Sequence, residues 1–298
     1  MNNASIFENL KKAEQGAKLS IIAYLLLSTA KILSGYFFHS TGLIADGVNN
    51  ATDFISSLCV LIGLRISRRP VDKDHRYGHF RAEIISSLIS SFIMFYAGIQ
   101  VVIYSFRQLY NKEFHKPDQI GLIVALVSTI IMLLVFYYNY SLSKKLNSAS
   151  LKAVAFDNLS DAFVSLGTMV GIIGTTLGIW FADGLAALIV GIIIIYTAFN
   201  IFRESTHILT DGIEATTITE IETIVNSIDG VIEVKDVKGR SHGLLYFIDV
   251  TVTVNPELNV RDSHDITVHI EEALKNKFFA CETLVHLEPA EKKDKIEN

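Results

Sequence analysis

Six apolar stretches fill residues 19–202 and leave few folds open to the chain: residues 19–38, 43–64, 84–106, 120–142, 153–180 and 184–202. Each meets the ~20 residues a helix needs to cross ~30 Å of hydrocarbon. All four prolines, Pro70, Pro117, Pro256 and Pro289, fall outside these stretches. Uninterrupted helices are therefore expected, and a helix satisfies its own backbone in lipid. The alternative, buried helices of a soluble protein, leaves too little polar surface over this length.

The short loops set the expected orientation through their Lys and Arg content. Lys11, Lys12 and Lys18 precede the first span, Arg65, Arg68, Arg69, Lys73, Arg76 and Arg81 follow the second, and Lys144, Lys145 and Lys152 follow the fourth. Residues 39–42 and 181–183 have none, and 107–118 carries Arg107, Lys112 and Lys116 as a mild exception. Both termini are expected to face the cytoplasm. No secretory signal is visible, because a polar segment precedes the first apolar stretch and no small-residue cleavage site follows it.

After Arg203 the hydropathy falls and the pattern changes. Residues 219–228 predict an amphipathic helix, with Thr219 and Glu222 spaced as a capping box. Asp229-Gly230 predicts a turn, residues 231–238 and 245–254 predict strands, 262–278 a second helix and 284–287 a third strand. The tail from Glu291 is charged and expected to fray. The expected division is a membrane domain over 1–210 and an α-β-β-α-β domain over 211–298. A net charge of -5 and a pI near 6.0 argue against nucleic acid as a partner. Two cysteines, Cys59 and Cys281, make no disulfide framework.

The residues that carry chemistry are the charges inside the apolar stretches. The third, fourth and sixth have no Asp, Glu, Lys or Arg; the first has Lys31, the second Asp46 and Asp53, and the fifth Asp157 and Asp161. An intramembrane carboxylate costs ~2.5–3.5 kcal/mol on insertion scales, so it needs a compensating role. Asp46, Asn49, Asn50 and Asp53 form one helical stripe, and Asp157 and Asp161 are one turn apart. An i, i+4 pair is separated by about 6 Å along the axis, so both side chains reach one ion. Asp46 and Asp53 are about 10.5 Å apart by the same rise, too far to share one easily. Asn49, Asp53, Asp157 and Asp161 are therefore the economical ion site. Asparagine alone can act as interhelical glue, but three carboxylates without basic partners repel one another. Lys31 is expected to offset one charge, most simply that of Asp46. A proton relay without metal is the other reading.

These residues resemble the cation diffusion facilitator family of metal/proton antiporters. The likeness lies in residues 45–53 (ADGVNNATD), 72–83 (DKDHRYGHFRAE) and 157–161 (DNLSD), with six spans and a C-terminal α+β domain. It implies a homodimer, alternating access at a helix 2/helix 5 site, and a cytoplasmic domain of ferredoxin-like type. Zinc-type members carry His-x-x-x-Asp on helix 5 and often on helix 2; those histidine places here hold Asp157 and Asn49. Imidazole suits zinc, whereas carboxylate and amide oxygens suit manganese and other hard cations. The pattern thus resembles the manganese-exporting members, with iron(II) the nearest rival and zinc or cadmium further alternatives. The implied cycle exports metal and returns protons to the carboxylates across a plasma membrane.

The resemblance also marks secondary residues. Asp72, His75 and His79 are a candidate peripheral metal site, or alternatively a loop whose histidines meet water or the soluble domain. Arg81 and Asp211 match a charge interlock in relatives. His264, His286 and Glu288 fall where zinc-type relatives have ligands, but two further places hold Lys235 and Thr251, which are poor ligands. A dimerisation domain with a weak or absent metal site is expected, with His242 and Asp249 as conceivable substitutes. Rival classes are a membrane-embedded aspartyl enzyme, a passive channel and a metal sensor. No Gly-rich nucleotide loop, His-Glu-x-x-His or nucleophile elbow supports an enzyme. Helices 2 and 5 are each the middle of a three-helix half, which also suggests an inverted repeat.

Overall fold

The computed structural model describes residues 3–37, 41–111, 119–179, 181–243, 245–278 and 281–290. The expectations for Lys112, Lys116, Trp180 and the tail from Glu291 lie outside these residues. The chain forms two compact units, one over Asn3–Thr206 and one that includes His207–Asn298.

The first unit consists of long helices: α1 (Asn3–Phe37), α2 (Thr41–Ser67), α3 (Arg81–Asn111), α4 (Gln119–Leu146), α5 (Ala149–Thr176) and α6, Ala182–Leu209, whose last residues enter the second unit. Among the described residues, Lys11–Ser34, Arg81–Asn111 and Leu122–Leu146 are long and apolar enough to cross a membrane. The polar start of the chain is itself helical, so α1 begins well before the apolar stretch. Lys12 pairs with Glu8, and Lys18 lies 3.7 Å from the buried Glu14, both one turn apart. Arg68 also reaches Glu14 at 2.8 Å, and Ala13 and Ala17 are buried, so the segment is held by packing and charge.

This unit buries small polar side chains and exposes large apolar ones. Ser56, Ser57, Ser86, Ser87, Ser90 and Ser91 are buried, while Leu26, Tyr104, Ile130 and Leu134 are exposed. Such inversion suits lipid as solvent, where small residues let helices approach. A Cβ on Gly47 would sit 2.7 Å from Ile32 Cγ1 and 3.0 Å from its backbone nitrogen, so glycine permits the α1–α2 contact. A Cβ on Gly98 would similarly meet Ile195 Cγ1 of α6 at 2.8 Å. Ser56 and Ser90 hydroxyls join α2 to α3 at 2.7 Å.

The second unit contains α7 (Ala215–Asn226), β1 (Glu233–His242), β2 (Leu245–Val254), α8 (Val260–Lys277) and β3 (Cys281–Pro289). The sheet order is β1-β2-β3, antiparallel between β1 and β2 and parallel between β2 and β3. Its core joins Ile221 and Val225 of α7, Ile248, Val250, Val252 and Val254 of β2, and Ile266, Ile270 and Leu274 of α8. Alternation on β2 and one-turn spacing on the helices present these residues to one layer. Fully burying each such side chain is worth about 1.5–3 kcal/mol.

The expected capping box is not formed. Thr219 lies inside α7 and its hydroxyl donates to Ala215 O at 3.1 Å. The helix begins four residues earlier, with Glu214 as N-cap and no side-chain cap hydrogen bond. The N-cap of α8 is Asn259, whose side chain accepts from the N–H groups of Arg261 and Asp262. Gly230 has φ +94° in the turn expected there, a conformation glycine adopts without Cβ strain.

Candidate metal centre

The helical stripe on α2 and the one-turn pair on α5 meet. Asp53, Asp157 and Asp161 are buried, and one carboxylate oxygen from each lies within 4.8 Å of the others. Asn49 spans the two helices: its Nδ2 lies 3.2 Å from Asp53 Oδ2 and 3.4 Å from Asp161 Oδ1. The four residues of the economical site are thus one cluster. The amide of Asn49 softens carboxylate repulsion by facing them with its nitrogen. An ion would need its oxygen instead, reached by turning the amide over.

Three carboxylates this close cannot all remain charged in a low-dielectric interior without a cation among them. Either protons or a metal ion must supply the positive charge.

Several participants escaped the sequence reading. Tyr24 OH on α1 donates to Asp157 Oδ2 at 3.2 Å. Asn158 Nδ2 donates to the Tyr24 oxygen at 2.9 Å, and Ser20 and Asn139 bond to Asn158 in turn. Asn139, a lone amide within the apolar run of α4, was the available signal for this group. Lys31 is buried and donates to Asn50 Oδ1 at 2.7 Å, and Asn50 Nδ2 lies 3.5 Å from Asp53 Oδ2. Its charge therefore connects to the cluster through Asn50; the Asp46 side chain, its expected partner, lies outside the described residues. Buried Glu83, at the start of α3, accepts from the Ser148 hydroxyl and from Ser150 Oγ at 3.2 Å.

Asp72, His75 and His79 form the second cluster, also within 4.8 Å but largely exposed. Asp72 Oδ1 accepts from the N–H of His75 at 2.7 Å and of Asp74 at 3.0 Å. The His75 N–H holds the Asp72 carboxyl below its usual range. His75 Nδ1 is 3.2 Å from Asp72 Oδ1, His79 Nε2 is 3.4 Å from Oδ2, and the two rings lie 4.2 Å apart. Much of this geometry satisfies itself locally.

The ligand set expected in the second unit, His264, His286 and Glu288, is not assembled. His264 lies on α8 and bonds to Thr267, whereas His286 Nε2 is 3.8 Å from Glu288 Oε1 on β3. Lys235 Nζ sits 2.6 Å from Glu288 Oε2 and holds that carboxyl below its usual range. Among the described residues, His264, His286 and Glu288 do not form one ligand cluster. Asp249 accepts from Arg240 at 3.3 Å, and the His242 ring packs on Phe247. Arg81 and Asp211 belong to different units.

Comparison with known proteins follows the same division. Residues 17–210 match the cation efflux transmembrane domain, and residues 213–290 match the cytoplasmic domain of cation efflux proteins. The manganese efflux system protein MneS of Bacillus subtilis is 45% identical over 96% of this chain and 99% of its own. The manganese efflux system protein MneP of the same organism is 29% identical, over 92% of this chain and 95% of its own. The cation-efflux pump FieF of Serratia proteamaculans is 26% identical over 95% and 94%.

Proposed function

The chain belongs to the cation efflux, or cation diffusion facilitator, family and is a membrane transporter rather than an enzyme; on that premise we propose that it exports manganese(II) in exchange for protons. The observation that carries this reading is the donor set: three carboxylates and one amide, with no imidazole, converging between α2 and α5. Oxygen donors suit manganese, which takes six of them in octahedral geometry; water completes the set. The manganese efflux relatives point the same way.

In this reading, all six helices cross a plasma membrane, residues 1–210 form the transport domain, and 211–298 form a cytoplasmic ferredoxin-like domain. Both termini face the cytoplasm and two copies associate as a homodimer. Manganese entering from the cytoplasm displaces protons from Asp53, Asp157 and Asp161, and Asn49 turns its amide oxygen toward the ion. The helices then rearrange to open the site outward. Once the ion leaves, repulsion among the carboxylates drives protonation from outside, and the protonated site returns.

Asp72, His75 and His79 are a second, peripheral metal site in this scheme. The cytoplasmic domain serves dimerisation without a resident metal, because Lys235 supplies the cation beside Glu288.

The test is metal flux in proteoliposomes carrying an internal pH-sensitive dye, with manganese, iron(II) and zinc compared. Manganese-led flux with opposing proton movement is expected. Iron-led flux would reassign the cargo, and flux without proton movement would indicate a channel.

A further inference from the structure

The buried group beside Asp157 has a direction. Tyr24, Ser20, Asn139 and Asn158 are each fully buried, on α1, α4 and α5. Asn139 Nδ2 donates to Ser20 Oγ at 2.7 Å and to Asn158 Oδ1 at 3.0 Å. Ser20 Oγ in turn donates its hydrogen to Asn158 Oδ1 at 2.9 Å. With Asn139 presenting its NH2, turning Asn158 over would set two NH2 groups against each other, so in this arrangement Asn158 Nδ2 faces the Tyr24 oxygen at 2.9 Å. That oxygen receives a hydrogen from Asn158, and its own hydrogen goes to Asp157 Oδ2 at 3.2 Å. Tyr24 is further fixed by packing among Ala23, Leu27, Met132, Val135 and Ala162.

The consequence concerns which ligand position 157 can offer. A carboxylate can accept from Tyr24 on one oxygen and bind an ion with the other. A neutral imidazole has one lone-pair nitrogen. If that nitrogen accepts from Tyr24, the nitrogen facing the site carries hydrogen and cannot ligate. If it ligates, its N–H faces the Tyr24 oxygen, and the hydroxyl hydrogen must turn away from position 157 and give up the bond it makes to Asp157.

We propose that Tyr24, oriented by Asn158, Ser20 and Asn139, is a positioning residue that biases cation selectivity by favouring an oxygen ligand over an imidazole at position 157. The proposal rests on Asp157 being a ligand of the transported ion. Tyr24 touches no ion in this scheme; it holds Asp157 Oδ2 and presents the other oxygen.

The test uses the full-length protein in proteoliposomes as wild type, Tyr24→Phe, Asp157→His, the double variant and Asp157→Asn, with manganese and zinc as cargo. Tyr24→Phe is expected to raise the manganese KM about tenfold with a smaller change in maximal rate, the low end of the 10–100-fold cost of losing an outer partner of a metal ligand. Asp157→His alone is expected to gain zinc transport only partly. The double variant should raise the zinc-to-manganese ratio about tenfold beyond the product of the single changes, the signature of coupled residues. Ratios that simply multiply, or an unchanged KM in Tyr24→Phe, would overturn the assignment. Should Tyr24→Phe fail to fold, Ser20→Ala keeps the phenol but frees Asn158; a smaller rise in KM is expected, and none would overturn it. Full manganese transport by Asp157→Asn would sink the underlying reading as well. Multiplying ratios with Asp157→Asn inactive would sink the Tyr24 role alone.

Discussion

Two ligand triads of similar tightness sit in opposite surroundings. Asp53, Asp157 and Asp161 are buried between α2 and α5, whereas Asp72, His75 and His79 lie largely exposed between α2 and α3. In the exposed triad, backbone N–H groups already satisfy Asp72 Oδ1, and water can solvate the rest. In the buried triad the carboxylates are shielded from solvent, and Asn49, Asn50 and Tyr24 donate to them from neighbouring side chains. The difference teaches that ligand spacing alone does not single out a site; on the proposed function, it is spacing combined with a burial cost that a cation relieves that does.

The largest expected effect is on transport. Neutralising Asp53, Asp157 or Asp161 to Asn should lower manganese flux by more than about 100-fold, since even outer partners of metal ligands cost 10–100-fold. Replacing His75 and His79 together by Ala should leave flux within about threefold, the scale of exposed interactions worth 0–1 kcal/mol. Initial rates in proteoliposomes give both numbers, and a reversal would exchange the roles of the two triads.

A smaller effect sharpens the contrast through stability. Manganese at 100 times Kd should stabilise the membrane unit by about 2.7 kcal/mol, seen as a raised Tm, in the wild type and in His75→Ala/His79→Ala. Asp157→Asn should lose most of that rise, keeping only what the exposed Asp72, His75 and His79 site supplies.

The smallest effect is in the cytoplasmic domain, where a carboxylate already has its cation. Lys235 depresses the Glu288 carboxyl, so the stabilisation this pair gives is present above the ordinary Glu range. It is lost as pH falls through the lowered folded value. Lys235→Ala should therefore lower the stability of the full-length protein near neutral pH, and the difference should vanish in acid. Chemical denaturation followed over a pH series would measure it.

What was legible in the sequence reflects how local each cause is. The stripe Asn49, Asp53 and the pair Asp157, Asp161 follow from helical period alone, and so their shared faces could be read directly. Strand β2 matches residues 245–254 because β-branched alternation has clear ends there. The start of α7 was misread because Thr219 and Glu222 mimic a capping box while the buried face at Ile221 and Val225 needs an earlier turn. The Ser20–Asn158 contact joins residues 138 positions apart, and no periodicity reports a hydrogen bond at that range. Lys31 was visible as an intramembrane charge, but its bond to Asn50 is set by how α1 packs on α2 across Gly47.

The most direct measurement is the amount of manganese bound by the purified full-length protein at equilibrium, compared among wild type, Asp157→Asn and His75→Ala/His79→Ala. Tight binding in the wild type and in the double histidine variant, lost in Asp157→Asn, is the predicted result. Tight binding that survives in Asp157→Asn and disappears with the histidines would contradict the assignment of the buried carboxylates as the transport site.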